Sequence, residues 1–212
     1  SARDLSILAQ ALIKRFPEHY KIYGVPEFTY NGIRQPNRNA LLFQDRNVDG
    51  MKTGFTNAAG YCLVASATRD GMRLIAVVMG TDSVNSRSIE AQKLLTYGFR
   101  FYDTHELFTG DEVLRSNEVW SGKSNTVDIG VKEQVFITIP NNSSDELVTD
   151  FQIDELLRAP IAAGDILGQV TISFDDKVYY QGEVIALQTI EKGSLIKQIM
   201  DWFTLFFISL FS

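Results

Sequence analysis

Lys52-Thr53-Gly54 sets an ammonium, a hydroxyl and a glycine in a row. Such a run suits the grip of an anionic substrate end, and the glycine lets the substrate backbone come close to the strand that bears it. Alone, the tripeptide is a weak signal, found by chance in on the order of one chain in twenty of this length. Asp49, just before it, reads as a turn residue rather than a catalyst. His19 and His105 have no His, Cys or Asp neighbours at metal-ligand spacing, so no metal site is expected. Cys62 lies in the apolar run Tyr61-Cys62-Leu63-Val64-Ala65 and reads as a small buried side chain. With no phosphate loop and no dinucleotide fingerprint, no cofactor is implied.

The elements that must hold Lys52 can be read around it. Ser1-Ala2-Arg3-Asp4 resembles a capping box with Asp in place of Glu, and Leu5, Leu8, Ala9, Leu12 and Ile13 follow at helical spacing until Phe16-Pro17 ends the pattern. The chain opens at the first turn of a helix and is expected to be cut from something longer. Residues 18–45 read as extended and loop structure. Residues 48–56 carry a strand signal, and 61–68 with 72–80 read as a hairpin turning at Asp70-Gly71. Residues 86–97 read as a helix, with Gly98 as its stop.

This predicts an α/β layer with one antiparallel sheet. From about Leu107 short alternating runs predict a small all-β, sandwich-like domain, with strands at 126–131, 135–139, 146–153, 169–174, 178–181 and 184–190. The last 19 residues form an amphipathic helix. The expected division is therefore 1–106, 107–191 and 192–212. In the tail, the uncharged run Trp202 to Ser212 is too short to span a bilayer. Lys197, Asp201 and Thr204 gather on one face, opposite Trp and Phe, the pattern of a helix lying at a membrane surface.

A chain of 212 residues that is 45% hydrophobic and 22% charged falls in the globular range. A net charge of −6 without clustered Lys or Arg argues against a nucleic-acid partner.

The surroundings of the tripeptide are more specific than the tripeptide. Asn31-Gly32-Ile33-Arg34-Gln35, Asn37-Arg38-Asn39, Val48-Asp49-Gly50-Met51-Lys52-Thr53-Gly54-Phe55-Thr56 and Ala59-Gly60-Tyr61-Cys62-Leu63 together resemble the low-molecular-mass D-alanyl-D-alanine carboxypeptidases, penicillin-binding serine peptidases. The resemblance runs on through Arg87, Gly98-Phe99-Arg100, the β domain and the tail. It implies a partial penicillin-binding transpeptidase fold, and a serine acyl-transfer reaction on peptidoglycan stem peptides ending in D-Ala-D-Ala. It implies β-lactams as substrate mimics, and a peripheral place on the periplasmic face of the bacterial inner membrane through residues 194–212. Lys52, Thr53 and Gly54 would match the carboxylate-binding strand, Arg87 and Arg38 the arginines beside it, and the Phe55 backbone N–H an oxyanion-hole donor.

The family's Ser-x-x-Lys and Ser-x-Asn motifs belong before Lys-Thr-Gly, and neither occurs in the 51 residues preceding Lys52. Ser83-Val84-Asn85 and Ser194-Leu195-Ile196-Lys197 match locally but follow Lys52, and are read as coincidences. Without a nucleophile and base, this chain is expected to be inactive alone and poorly soluble without detergent or membrane. The alternative is a catalytically dead, membrane-bound wall-binding or scaffold module.

Overall fold

The structure, a computed structural model, describes residues 1–211. What the tail expectation says of Ser212 and of the side chains of 209–211 lies outside the described residues. The chain forms two compact units, Ser1–Asp103 and Thr104–Ser212.

In the first unit, α1 (Ala2–Arg15) starts with Ser1 accepting from the Asp4 backbone N–H, with the Asp4 side chain returning to the Ser1 amine. Pro17 occupies the first turn of α2 (Pro17–Tyr20), where its missing N–H costs nothing. The loop expected over 18–45 is more ordered than the sequence suggests. A 3-10 turn, Lys21–Gly24, leads into a hairpin of β1 (Glu27–Tyr30) and β2 (Ile33–Pro36). Asn31 and Gly32 both take positive φ, 50° and 75°, as a two-residue hairpin turn requires. After α3 (Leu41–Gln44) come β3 (Val48–Thr56), β4 (Gly60–Arg69) and β5 (Met72–Thr81), antiparallel in that order, and then α4 (Val84–Phe101).

Helices cover both faces of this sheet. On one side Ala9, Leu12 and Ile13 of α1, with Tyr20 and Tyr23, pack against Val64 and Ile75. On the other, Leu41, Ala91 and Leu95 pack against Leu63, Ala65, Ala67 and Ala76. The alanines let α4 approach closely, and Leu95, 1% exposed, contributes about 2 kcal/mol by its burial. Gly98 does not stop this helix, which runs to Phe101. A side chain there would meet Leu74 Cδ1 at 2.4 Å, so the glycine serves helix–sheet packing.

In the second unit, β6 (Tyr102–Phe108) pairs with β9 (Val135–Pro140). A five-stranded sheet has the order β10 (Val148–Ile153), β11 (Ile166–Phe174), β12 (Lys177–Ala186), β8 (Thr126–Gly130), β7 (Arg115–Glu118). Val135, Ile137 and Ile139 alternate inward along β9, and Val127, Ile129, Val170 and Val184 fill the core. The two runs expected at 178–181 and 184–190 merge into one strand, which ends at Ala186. Gly182 continues it because the Tyr180 ring lies where a Cβ would be, 2.0 Å from its hydroxyl. The strand expected from 146 starts at Val148, since Ser144–Glu146 close a 3-10 turn.

The tail helix α5 (Leu195–Phe211) turns a polar side to its own unit. Asp201 accepts from the Ser121 amide at 2.7 Å and pairs with Lys197 at 3.1 Å, and Gln198 donates to the Gly193 carbonyl. Thr204 is exposed. Ile199, Met200, Trp202, Phe203, Phe206 and Phe207 are all at least 48% exposed, so the apolar side faces solvent. No helix among the described residues is long and apolar enough to cross a membrane.

Candidate functional site

Strand β3 lies at the edge of its described sheet, and Lys52, Thr53, Gly54 and Phe55 pair in register with Val64, Leu63, Cys62 and Tyr61 of β4. Lys52 and Gly54 are exposed and Thr53 is half-buried. The Lys52 ammonium folds back to donate to the Thr53 carbonyl at 2.5 Å. Beside it lies a cleft of about 300 Å³ between α1 and the sheet, lined by Leu5, Leu8, Leu12, Lys52, Cys62 and Val64 among others. A more open hollow on α4, lined by Lys93, Tyr97, Arg100 and Phe101, shares no lining residue with it.

Arg87 comes to the same strand end from α4. Its Nη1 donates to the Gly54 carbonyl and its Nη2 to the Arg38 carbonyl, both at 3.3 Å. The residue is 5% exposed, and its Nε is buried without a hydrogen-bond partner. Burial draws the guanidinium below its ordinary pKa, and Arg38 adds like-charge repulsion, against the favourable influence of Tyr61 and Cys62. The Tyr61 ring lies 5.7 Å from the Arg87 Cζ and 4.3 Å from the Phe55 ring. Thus Lys52, Thr53, Gly54, Phe55, Arg38 and Arg87, scattered over 50 positions of sequence, are linked at one end of one strand. Arg38 itself is exposed, and Arg87 spends two N–H groups on backbone carbonyls.

Asn39 joins the same region. It is 1% exposed, donates to the Gly50 carbonyl at 2.9 Å and accepts from the Leu41 amide at 3.2 Å. Sequence reading had no signal for this beyond its place in Asn37-Arg38-Asn39. Asp49 is no turn residue: it is an extra residue within β3, where the pairing steps from Val48↔Ala67 to Gly50↔Ser66.

The two serines of the local motif matches are helix caps. Ser83 Oγ accepts from the Ser86 amide at 3.0 Å to start α4, and Ser194 Oγ accepts from the Lys197 amide at 3.3 Å to start α5. What the described residues assemble is an open edge strand with three cations near it, an arrangement for holding an extended, anionic chain end.

Residues 1–83 match the family described as D-alanyl-D-alanine carboxypeptidase, and residues 102–192 match the C-terminal domain of penicillin-binding protein 5. The chain is 42% identical over 209 residues to the D-alanyl-D-alanine carboxypeptidase DacA of Escherichia coli, covering 98% of this chain and 52% of that one. It is 38% identical over 215 residues to the DacA of Haemophilus influenzae, covering 100% and 55%. Among solved structures, penicillin binding protein 5 from Haemophilus influenzae superposes with a TM-score of 0.83 at 40% identity, over 91% of this chain and 57% of that chain. The chain spans about half the length of the curated relatives it matches.

Proposed function

The chain belongs to the D-alanyl-D-alanine carboxypeptidase family, and from that premise we propose that it holds the D-Ala-D-Ala end of a peptidoglycan stem peptide for serine-type acyl transfer. The observation that carries this reading is the edge strand β3 with Lys52 and Thr53 on it and Arg87 bound to its Gly54 carbonyl. An extended peptide can add to the free edge of β3 by backbone hydrogen bonds, with its terminal carboxylate taken by the Lys52 ammonium and Thr53 hydroxyl. The Phe55 N–H serves as an oxyanion donor, and Arg38 supplies positive charge at the rim. Arg87 acts through the Gly54 carbonyl, shaping the strand. In the acyl-transfer step a serine attacks the D-Ala-D-Ala amide, the terminal D-Ala leaves, and water releases the acyl group. β-Lactams mimic that amide. The residues described here supply the carboxylate grip, and the family's nucleophile motif does not occur before Lys52.

In the same reading, residues 1–106 bear the substrate strand, 107–191 form a supporting β domain and 192–212 lay the protein on a membrane surface. The outward apolar side of α5 supports the reading of an interfacial helix, and the family supports the reading that it lies peripherally on the periplasmic face of the inner membrane.

The test is a titration of the isotopically labelled 212-residue chain with diacetyl-Lys-D-Ala-D-Ala and its L-Ala-L-Ala isomer, followed by amide shifts. Shifts at residues 52–55 with the D,D peptide alone are expected, and their absence would sink the reading. A fluorescent penicillin should leave the chain's intact mass unchanged; an adduct at Ser83 or Ser194 would show that a helix cap is the nucleophile. The second reading is a wall-binding module without catalysis, with which the capping roles of Ser83 and Ser194 agree as well as they do with the first. It predicts the same peptide shifts, and no hydrolysis even when the chain is joined to upstream sequence.

A further inference from the structure

The extra residue at Asp49 sets the register of Lys52 on β3. Continued without it, the pairing Val48↔Ala67 would set Lys52 opposite Leu63, a 1%-exposed member of the core under α4. The shift at Asp49 sets Lys52 opposite Val64 instead, whose side chain packs with Ala9 and Tyr20 on the α1 side, and Lys52 lines the cleft together with both Val64 and Leu63. A slip of one residue changes the partner of every later position of a strand, so the bulge sets the register in which Lys52 stands, while Met51 beside it packs with Ala9 and Tyr20.

The bulge is held from α2, β4, β5 and the loop before α3. Tyr20, 6% exposed, donates its hydroxyl to Asp49 Oδ1 at 2.7 Å. Arg73 on β5 reaches Asp49 Oδ2 at 2.7 Å and Oδ1 at 3.0 Å, donates to the fully buried Ser66 hydroxyl at 2.7 Å, and lies over the Tyr20 ring with its Cζ 5.5 Å from the centroid. Gly50 is enclosed: its carbonyl is taken by Asn39, and a Cβ on it would lie 2.5 Å from the Tyr20 hydroxyl oxygen. Burial, reinforced by Asp49 and opposed by Ser66 and Arg73, raises the Tyr20 pKa well above its ordinary value, which keeps the hydroxyl a donor. The Asp49–Arg73 pair is about one-third exposed on each side, so as an ion pair it adds little stability. What it does is fix geometry.

We propose that Tyr20, Asp49 and Arg73 are positioning residues that lock the β3 bulge and so present Lys52 to the cleft; this rests on the reading that Lys52 and Thr53 bind the substrate carboxylate. The 212-residue chain is compared with its Asp49→Ala, Asp49→Asn and Tyr20→Phe forms by amide shifts, amide exchange and titration with diacetyl-Lys-D-Ala-D-Ala. Asp49→Ala and Tyr20→Phe should shift and deprotect the amides of 50–54 selectively and weaken peptide binding by about tenfold, roughly the effect of one charge-assisted hydrogen bond. Asp49→Asn, which keeps an acceptor for Tyr20, should stay within about threefold of the parent. Unchanged 50–54 amides in both severe variants would overturn the proposal, as would losses spread evenly over β4, β5 and α4, the mark of general destabilisation. If Asp49→Ala does not fold, Tyr20→Phe, which removes one oxygen, still decides. If the parent chain binds no peptide, the carboxylate reading fails, while the amide data still answer whether the network sets β3.

Discussion

The buried guanidinium of Arg87 and the carbonyl of Gly54 are joined at 3.3 Å, tying α4 to the last residue of the Lys-Thr-Gly run across 33 positions of sequence. The same side chain holds the Arg38 carbonyl, so one arginine fixes two backbone segments, β3 and the residues before α3.

Replacing Arg87 by Ala should therefore destabilise the chain by about 2–3 kcal/mol, because two carbonyls lose a charged donor in a nearly dry site. Lysine cannot span both carbonyls with a single ammonium, and Arg87→Lys should recover less than half of that. Urea unfolding measures both. Parent-like stability of Arg87→Lys would show that the charge alone matters.

Gly50→Ala should cost about 1–3 kcal/mol, since the new methyl falls on the Tyr20 hydroxyl and must break its bond to Asp49. The clash is worst at that oxygen, with two ring carbons of Tyr20 at 3.1 and 3.3 Å. Tyr20→Phe in the Gly50→Ala background should therefore cost less than Tyr20→Phe alone, a non-additive cycle readable by thermal unfolding. Additive costs would show that the methyl is accommodated by backbone movement.

These two sites mark where sequence reading stopped. The capped start of α1, the turn at Asp70-Gly71 and the alternation of β9 were legible because their causes lie within a few residues. Lys52-Thr53-Gly54 was legible because it is contiguous. Asp49 read as a turn residue because the partners that give it meaning, Tyr20 and Arg73, are 29 and 24 positions away. Gly98 read as a helix stop because its reason, the Leu74 side chain, comes from another strand. The hairpin around Asn31-Gly32 carried a strong local turn signal, yet its strands are exposed throughout and show no inward alternation to announce them.

The contact between α5 and its own unit should loosen in acid. Burial alone would raise the Asp201 pKa, but the Ser121 amide and Lys197 outweigh it and hold it below the usual carboxylate value. A folded-state pKa lowered in this way gives stability that is fully present above the unfolded value of about 3.9 and is lost as pH falls through the folded value. Trp202 emission and anisotropy should thus be constant from about pH 7 to 5 and change below about pH 4. In Asp201→Asn the acid step should vanish. A step near pH 6 would point to a different group.

Membrane attachment through α5, if its outward side makes it, should rest on apolar contact more than on charge. The chain carries a net charge of −6, and Lys197 is already paired with Asp201. Anionic lipid therefore has little to attract, whereas Phe203 and Phe207, 51% and 56% exposed, have apolar area to bury. Sedimentation with phosphatidylglycerol–phosphatidylethanolamine vesicles should show binding that survives 0.5 M salt, conditions in which surface charge attraction is largely screened. Phe203→Asp with Phe207→Asp should reduce partitioning by well over tenfold, because each aromatic ring lost from the interface removes an appreciable part of the roughly 1.5–3 kcal/mol that full burial is worth. Release by salt alone would transfer the attachment to charged groups elsewhere, and undiminished binding of the double variant would free α5 from the role altogether.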